Sequence, residues 1–164
     1  MPGTIIQVNV SAGGLPKRPV AQARIGRAGL EGDAQAHPEI HGGPRKAVLL
    51  IAAEVVDGLV ARGYPVFYGA LGENLTTRGL NVRELKTGDR LRAGGTTLEI
   101  SRARKPCGQL DIYGDSLKAD LYDAEAEAGN SVSPRWGWGG FYLSVVEEGV
   151  VAPGDIIAPV AELA

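Results

Sequence analysis

The sequence predicts a mainly β protein of the α+β class, a small β-barrel into which about two helices are inserted. Glycine and proline account for 24 and 10 of the 164 residues, and both disfavour long helices while supplying tight turns. Apolar and polar residues alternate over several short stretches, which is the pattern of half-buried strands. Aromatic residues make up 5% of the chain, so the core is expected to be aliphatic. This length predicts a single domain over residues 1–164.

The first half of the chain predicts three strands, one helix and two long loops. The strands are predicted at residues 4–10, 20–25 and 47–52. The third strand is apolar throughout, which indicates burial on both of its faces. A helix is predicted over residues 53–62, where apolar residues recur at helical spacing before Gly63. Residues 26–45 and 64–80 show no such periodicity and are predicted to be loops.

The second half of the chain predicts a hairpin, a second helix and two further strands. The hairpin joins residues 88–91 to residues 96–101 through Ala93-Gly94-Gly95. Ser116 is placed to cap a helix over residues 116–128, which carries an apolar stripe and ends before Gly129. The last strands are predicted at residues 141–147 and 155–160.

The charge distribution excludes some partners and favours others. The net charge of −2 gives no electrostatic argument for binding nucleic acid. Residues 1–105 carry 15 basic and 9 acidic side chains, whereas residues 106–164 carry 2 basic and 10 acidic ones. An anion site is therefore more plausible in the first two thirds of the chain. The chain contains neither a P-loop motif nor a Gly-x-Ser-x-Gly motif, so neither P-loop phosphoryl transfer nor α/β-hydrolase chemistry is supported.

The N-terminus and the cysteine content indicate a cytoplasmic protein. The first residues lack the basic and apolar segments of a signal peptide, and no apolar stretch approaches the roughly 18 residues that cross a bilayer. The single cysteine, Cys107, excludes an internal disulfide and a multi-cysteine zinc or iron–sulfur site. We therefore expect no membrane partner.

The most distinctive local motif is Arg104-Lys105-Pro106-Cys107, directly after the predicted hairpin. Positive charge beside a cysteine favours the thiolate, which is the nucleophilic and metal-binding form. Pro106 restricts the backbone just before the cysteine. Free cysteines are also often small buried hydrophobic residues, so the motif by itself leaves both interpretations open.

A second candidate is the glycine-rich loop that contains both histidines. It runs from Gly29-Leu-Glu-Gly32-Asp33 to His37-Pro-Glu-Ile-His41-Gly42-Gly43-Pro44. The glycines and Pro38 disfavour a helix, and two histidines without a familiar ligand spacing do not predict a zinc site. Glycine N–H groups in such a loop can approach an anion, with His41 as a donor or proton source. The alternative is a loop whose histidines form only local hydrogen bonds.

Two further motifs have both structural and functional interpretations. Asn74, in Gly72-Glu73-Asn74-Leu75, can donate and accept at the edge of a heteroaromatic ring, but the tetrapeptide also suits a turn. Trp136 and Trp138 are flanked by glycines and could stack on a planar ligand. Core packing, or a lid over the barrel, explains the two tryptophans equally well.

Taken together, these motifs resemble those of the MOSC domain family, which is named after the C-terminal part of molybdenum-cofactor sulfurases. The matching segments follow the family's order along residues 4–160: Gly29-Leu-Glu-Gly32-Asp33, His41-Gly42-Gly43-Pro44-Arg-Lys46-Ala-Val48, Gly69-Ala-Leu-Gly72-Glu73-Asn74-Leu75-Thr76, Gly88-Asp89, Arg104-Lys-Pro106-Cys107, and Gly149 with Gly154-Asp155. No single segment is specific, but five in register are difficult to obtain by chance. The chain is most similar to the stand-alone bacterial members.

The resemblance implies a MOSC-type β-barrel that binds the molybdenum cofactor, with Cys107 and His41 as the catalytic residues. Cys107 would ligate molybdenum or carry a persulfide, and a soft thiolate suits a thiophilic metal. The other residues implied at the cofactor are Gly42, Gly43, Lys46, Asn74, Arg104 and Asp33. Among these, Lys46 and Arg104 would contact the pterin phosphate, and Asp33 would brace the glycine loop.

The resemblance also implies an enzyme that reduces N-hydroxylated compounds at the molybdenum centre. Because nothing in the chain predicts a flavin or iron–sulfur site, electrons would come from a separate reductase. The alternative is a sulfur-carrier or cofactor-delivery module, in which Cys107 holds sulfur for a molybdoenzyme and receives it from a cysteine desulfurase. No lysine has a recognisable pyridoxal-phosphate setting, so this chain is not expected to desulfurate cysteine itself. A third interpretation is a non-catalytic binding domain with an inert cysteine.

Overall fold

A closed ring of seven strands forms the centre of the computed structural model, which describes residues 2–34 and 43–163. In chain order the strands are β1 (Gly3–Val10), β2 (Arg18–Val20), β3 (Ala23–Gly26), β4 (Gly29–Leu30), β5 (Val48–Ala52), β6 (Leu75–Arg78), β7 (Arg90–Ala93), β8 (Thr96–Ala103), β9 (Phe141–Glu147), β10 (Gly149–Val151) and β11 (Ile156–Pro159). The barrel order is β1-β6-β5-β9-β8-β7-β11, and β11 pairs with β1 to close it. Strand β2 extends beside β1, and β10, β3 and β4 form a small second sheet. The predicted β-barrel is therefore confirmed.

The connection between β5 and β6 differs from the others because these two strands are parallel, with Leu50 opposite Leu75. A parallel pair cannot be joined by a tight hairpin and needs a crossover. Here the crossover contains helix α1 (Ala53–Ala61), which begins directly after β5. This helix confirms the prediction over residues 53–62 to within one residue.

Two hydrophobic clusters lie on the two sides of the barrel wall. The inner cluster fills the barrel and includes Leu50, Leu98 and Phe141. The outer cluster packs between the wall and the helices and includes Ile51 and Leu117. Strand β5 contributes to both clusters, so it is buried on both faces, as its continuous apolar sequence predicts.

The prediction of one continuous helix over residues 116–128 is wrong. The structure has two short helices instead, α2 (Leu117–Leu121) and α3 (Ala124–Glu127). Tyr122 between them is extended, with φ −130° and ψ 142°, and its ring is buried. The side chain of Asp123 then accepts a hydrogen bond from the N–H of Ala126 at 2.8 Å, which caps α3. Burial of the tyrosine and this new cap interrupt the helix.

Several strand boundaries also differ from the prediction. The predicted strand at 20–25 is two strands, β2 and β3, and both predicted loops contain a strand: β4 in the first and β6 in the second. The sequence pattern does not predict strand β6, because Thr76 and Thr77 are polar yet buried. The strand therefore shows no alternation of apolar and polar residues. The predictions at 4–10, 141–147 and 155–160 correspond to β1, β9 and β11.

The remaining helical segments are 3-10 turns: Pro44–Lys46, Val82–Glu84, Gly108–Tyr113 and Val160–Leu163. In the described part of the chain, every helix is too short and too polar to pass through a lipid bilayer.

Substitution of Gly140, just before β9, tests how closely this part of the barrel wall is packed. Its φ is +95°, and a Cβ at this position would lie 2.6 Å from the carbonyl oxygen of Leu50. We expect Gly140→Ala to lower the free energy of unfolding by about 2 to 4 kcal/mol through backbone strain and overpacking. Gly58→Ala is the control, because Gly58 lies inside α1 with open space around it; it should raise stability by about 0.5 to 1 kcal/mol. Urea unfolding measures both, and equal effects would contradict the packing of β5 against Gly140.

Candidate functional site

Cys107 lies on the wall of a surface cleft of about 290 Å³. The described residues that line it are Lys46, Arg102, Lys105, Pro106, Cys107, Gly108 and Tyr142; we call it the cysteine cleft. Arg102 of β8 is paired in register with Tyr142 of β9. The hydroxyl of Ser101 donates to the carbonyl oxygens of Arg45 and Tyr142, which fastens the turn that carries Lys46 to the same strands. Strand pairing therefore brings three distant segments to one cleft.

The cleft is electropositive. The Nζ of Lys46 lies 5.4 Å from the centre of the Tyr142 ring, and the Cζ of Arg102 lies 5.9 Å from it. Burial, followed by the charge of Arg102, lowers the pKa of Lys46 below its ordinary value. No carboxylate is among the described lining residues. Cations held together without a carboxylate beside them are suited to an anionic ligand.

Cys107 is half-buried and packs against the edge of the outer cluster. It precedes the 3-10 turn Gly108–Tyr113, and its carbonyl oxygen accepts a hydrogen bond from the N–H of Leu110 at 3.1 Å. The cysteine is therefore held by local backbone bonds at the cleft rather than enclosed in the aliphatic core.

Arg104 points away from the cysteine cleft. Its guanidinium donates to the carbonyl oxygen of Leu71 at 2.7 Å, and its backbone N–H donates to Gly140 at 2.8 Å. The side chain is buried, and its Nε has no partner among the described residues. Arg102 and Lys105 face the cleft instead. Arg104 follows the end of β8, so strand alternation does not fix its direction, and the sequence reasoning missed Arg102 and Tyr142.

Asn74 and Asp33 lie together in a buried network away from the cleft. Asn74 donates to Asp33 at 2.9 Å and to the carbonyl oxygen of Asn9 at 3.2 Å, and it accepts from the N–H of Leu49 at 3.0 Å. Asp33 also accepts from the Nζ of the buried Lys17 at 2.6 Å. Internal partners therefore occupy the amide of Asn74. Along the chain, Asp33 is two residues before residues 35–42, which lie outside the described residues.

The glycine loop is described only in part. His41 and Gly42 lie outside the described residues. Gly43 has φ +95°, and its carbonyl oxygen accepts a hydrogen bond from the N–H of Lys46 at 3.0 Å. Gly43 thus starts the turn that carries Lys46, although it does not itself line the cysteine cleft.

The two tryptophans have different environments. Trp136 is buried, donates from Nε1 to the carbonyl oxygen of Leu85 at 2.8 Å, and packs edge-on against Phe141. It is a core residue. Trp138 is half-buried, and the guanidinium of Arg135 lies 5.8 Å from the centre of its ring. Neither lines the cysteine cleft.

Glu73, next to Asn74, is fully buried, and the sequence reasoning gave it no separate role. Its Oε2 accepts from the hydroxyl of Thr76 at 3.1 Å, whereas its Oε1 has no partner in the described part of the chain. Burial raises the pKa of Glu73, and hydrogen bonds and the charge of Arg104 only partly oppose that effect. The folded protein therefore holds this proton more tightly than the unfolded chain does.

This shift predicts a pH-dependent contribution to stability. The contribution of protonated Glu73 is complete below the ordinary pKa of glutamic acid and is lost as pH rises through the raised pKa. The stability of Glu73→Gln relative to the unchanged protein should therefore increase as the pH rises from the ordinary pKa of glutamic acid through the raised pKa of Glu73. Urea unfolding across this range measures it, with Glu84→Gln at an exposed position as the control. Parallel pH profiles for the Glu73→Gln variant and the unchanged protein would contradict the assignment.

Comparison with known proteins identifies one matching family and several similar proteins. A family model, the MOSC domain, matches residues 37–158. The protein YflK of Bacillus subtilis (strain 168) is 34% identical over 145 residues, which cover 86% of this chain and 60% of YflK. The protein YiiM of Escherichia coli (strain K12) is 32% identical over 143 residues, which cover 82% of this chain and 59% of YiiM. The chain thus spans about 60% of the length of these curated relatives.

Solved structures show the same fold. The crystal structure of YiiM from Geobacillus stearothermophilus superposes with a TM-score of 0.70 at 29% identity, covering 96% of this chain and 75% of that one. YuaD from Bacillus subtilis gives a TM-score of 0.69 at 20% identity, covering 96% and 94%, a likeness of fold alone. Because the family model matches well over half of the residues, the chain belongs to the MOSC domain family.

Proposed function

We propose that the protein binds a molybdenum cofactor in the cysteine cleft and acts as an oxidoreductase on N-hydroxylated compounds. One observation carries the proposal: a half-buried thiol shares a cleft with three cationic side chains, and no carboxylate is among the described lining residues. Membership of the MOSC domain family supports it.

The donor chemistry of the cleft fits the metal end of this cofactor. Cys107 is the only cysteine of the chain and therefore supplies its only thiolate. A single thiolate is sufficient because the dithiolene of the cofactor brings its own sulfur ligands. When bound, the cofactor would supply the two-electron redox chemistry that removes oxygen from an N–O bond.

The charge of the cleft fits the phosphate end of the cofactor. Arg102 offers the planar donor fork that pairs with phosphate oxygens, and Lys46 and Lys105 add point charges. Burial is the main cause of the lowered pKa of Lys46, and the charge of Arg102 adds to it; an anion between the two cations would relieve this added repulsion. The ring of Tyr142 lies against both Lys46 and Arg102 and limits their orientations.

Arg104, which does not line the cleft, stabilises the segment that carries Cys107. The two hydrogen bonds of Arg104, to Leu71 and Gly140, fix the backbone three residues before Cys107. In this proposal Arg104 supports the cysteine segment, and Arg102 takes the phosphate contact that the resemblance had implied for Arg104. His41 is kept as the proposed proton donor, and an external reductase as the proposed electron source.

One observation favours the sulfur-carrier alternative. Lys105 and Gly108 on either side of the cysteine are exposed, so a second protein can approach the segment that carries Cys107. In that case the cysteine would carry a persulfide between a cysteine desulfurase and a molybdoenzyme.

The role of Cys107 is tested by metal content. In a host that synthesises the cofactor, Cys107→Ala should lower the molybdenum content per protein by at least about tenfold, because the soft ligand is lost. It should leave the melting temperature nearly unchanged, because the side chain is only half-buried. Elemental analysis and thermal unfolding measure the two effects. Unchanged molybdenum would contradict the proposal, and labile sulfur on Cys107 without molybdenum would establish the alternative.

The role of the cations is tested by a matched pair of arginines. Arg102→Gln should weaken the binding of inorganic phosphate to the cleft by about tenfold, because one charge-assisted donor fork is removed. Arg92→Gln removes the same charge from β7, where Arg92 pairs with Glu147 at 3.6 Å and does not line the cleft. Phosphate titration followed by NMR measures both affinities. An equal loss in the two variants would show a net-charge effect and would contradict a phosphate site at Arg102.

The role of His41 is tested by turnover. His41→Ala should lower either the rate of N-hydroxy reduction or the retention of the cofactor, by about tenfold or more. Kinetics with added reductant and metal analysis of the same preparation separate the two effects. A variant with normal kinetics and normal metal content would remove His41 from the site.

A further inference from the structure

Trp138 lies where two surface clefts of about 200 and 290 Å³ meet. Glu54 and Val55 of α1 line both clefts as well, so the two clefts are adjacent; we call the pair the Trp138 groove. None of its lining residues lines the cysteine cleft. The groove is therefore a separate feature that the proposed function does not use.

Trp138 has an unused hydrogen-bond donor. Its Nε1 has no acceptor among residues 2–34 and 43–163, whereas the equivalent atom of Trp136 donates to Leu85. Indole N–H groups at buried or half-buried positions usually find a partner. Trp138 lines the groove and its N–H has no acceptor among the described residues, so a ligand in the groove is able to supply one.

The floor of the groove is apolar. It consists of Val55, Leu59, Leu121 and Trp138. Gly58 lies in the middle of α1, and a side chain there would meet nothing within 4 Å. The absence of a side chain at Gly58 leaves the floor open to a flat group the size of one aromatic ring.

One charge in the groove is not balanced by an ion pair. Arg62 and Asp120 neutralise each other, with 2.8 Å between Nη1 and Oδ1. The carboxylate of Glu54 accepts a hydrogen bond from the N–H of Gly79 at 2.8 Å. In the described part of the chain it has no basic side chain within ion-pair distance. Beyond ion-pair distance, Glu54 still interacts with the charge of Arg78. The groove therefore combines an apolar floor with one carboxylate that is outside any ion pair among the described residues.

We propose that the Trp138 groove binds a small organic ammonium compound with a flat apolar body and an oxygen atom at its far end. The ammonium group pairs with Glu54, the body lies on the apolar floor, and the oxygen accepts from the Nε1 of Trp138. Each of these three ligand features is complementary to one feature of the groove. The binding is non-covalent, and it is independent of molybdenum.

Tyramine and tyrosol are suitable probes, because they differ only in an ammonium group in place of a hydroxyl group. In the two-dimensional ¹H–¹⁵N NMR spectrum, the two tryptophans give two indole signals. Tyramine should shift the Trp138 signal saturably in the millimolar range or below, and should leave the Trp136 signal in place. Tyrosol should bind about three- to tenfold more weakly, because it lacks the partner for Glu54.

Variants test the two polar contacts separately. Trp138→Phe assigns the signal and, by the shifts of the backbone signals of α1, should show weaker binding of both probes. Glu54→Gln should remove the preference for tyramine over tyrosol. Asp57→Asn is the matched control, since Asp57 lies on the same helix and does not line the groove. Because Asp57 pairs with Arg78, whose charge also acts on Glu54, the control should weaken the preference by less than Glu54→Gln does.

Several results would overturn the proposal: no saturable shift at about 10 mM probe, equal affinity for the two probes, or an equal loss of preference in Glu54→Gln and Asp57→Asn. Molybdenum loading should be the same in Trp138→Phe as in the unchanged protein, so the groove and the cysteine cleft are tested independently.

Discussion

The cysteine cleft depends on the pairing of β9 with two strands at once. Tyr142 of β9 lies opposite Leu49 of β5 on one side and Arg102 of β8 on the other. Lys46 lies two residues before β5, and the cysteine segment follows β8 directly. The backbone hydrogen bonds of three adjacent strands therefore determine how far apart the cations and the thiol lie. A shift of register by one residue would turn Tyr142 and Arg102 to the other face of the wall.

Buried polar contacts hold the loops against this wall. Buried groups without partners are costly, yet Asp33, Lys17 and Asn74 are buried together because each one has a hydrogen-bonded partner in the group. The arrangement of Glu73 and Arg104 is less complete, since each retains one atom without a partner in the described residues. These unpartnered atoms lower the stability of this part of the fold. The hydrogen bond from Arg104 to the carbonyl oxygen of Leu71 nevertheless attaches the segment before Cys107 to that loop.

The same barrel carries two surface features of opposite charge. The cysteine cleft has only cations among its charged described lining residues, whereas the Trp138 groove has one unbalanced carboxylate on an apolar floor. The overall charge asymmetry of the sequence does not explain this difference, because Glu54, the carboxylate of the groove, lies in the basic part of the chain. The charge of each feature depends on which side chains the fold brings together there. The two features are thus suited to ligands of opposite charge.

Local pattern was sufficient for the fold class, for most strands, and for the position of α1, because alternation and glycine or proline turns depend on neighbouring residues only. A local motif also singled out Cys107, and the family resemblance added Lys46; the structure brings both residues to one cleft. It failed where a distant contact decides the local conformation. Burial of Tyr122 and the cap at Asp123 divide the predicted second helix, and the buried environment of Thr76 and Thr77 conceals β6 from any hydropathy pattern.

By itself, the sequence determined a β-barrel with one soft sulfur atom beside basic residues, because composition and short-range periodicity contain that information. Only the tertiary structure decided that Arg102, and not Arg104, faces the cleft, that internal partners occupy Asn74, and that Trp136 is core while Trp138 lines a groove. The direction of each of these side chains depends on which strand or loop it meets across the fold. Such contacts join residues far apart in the chain, and no local pattern specifies them.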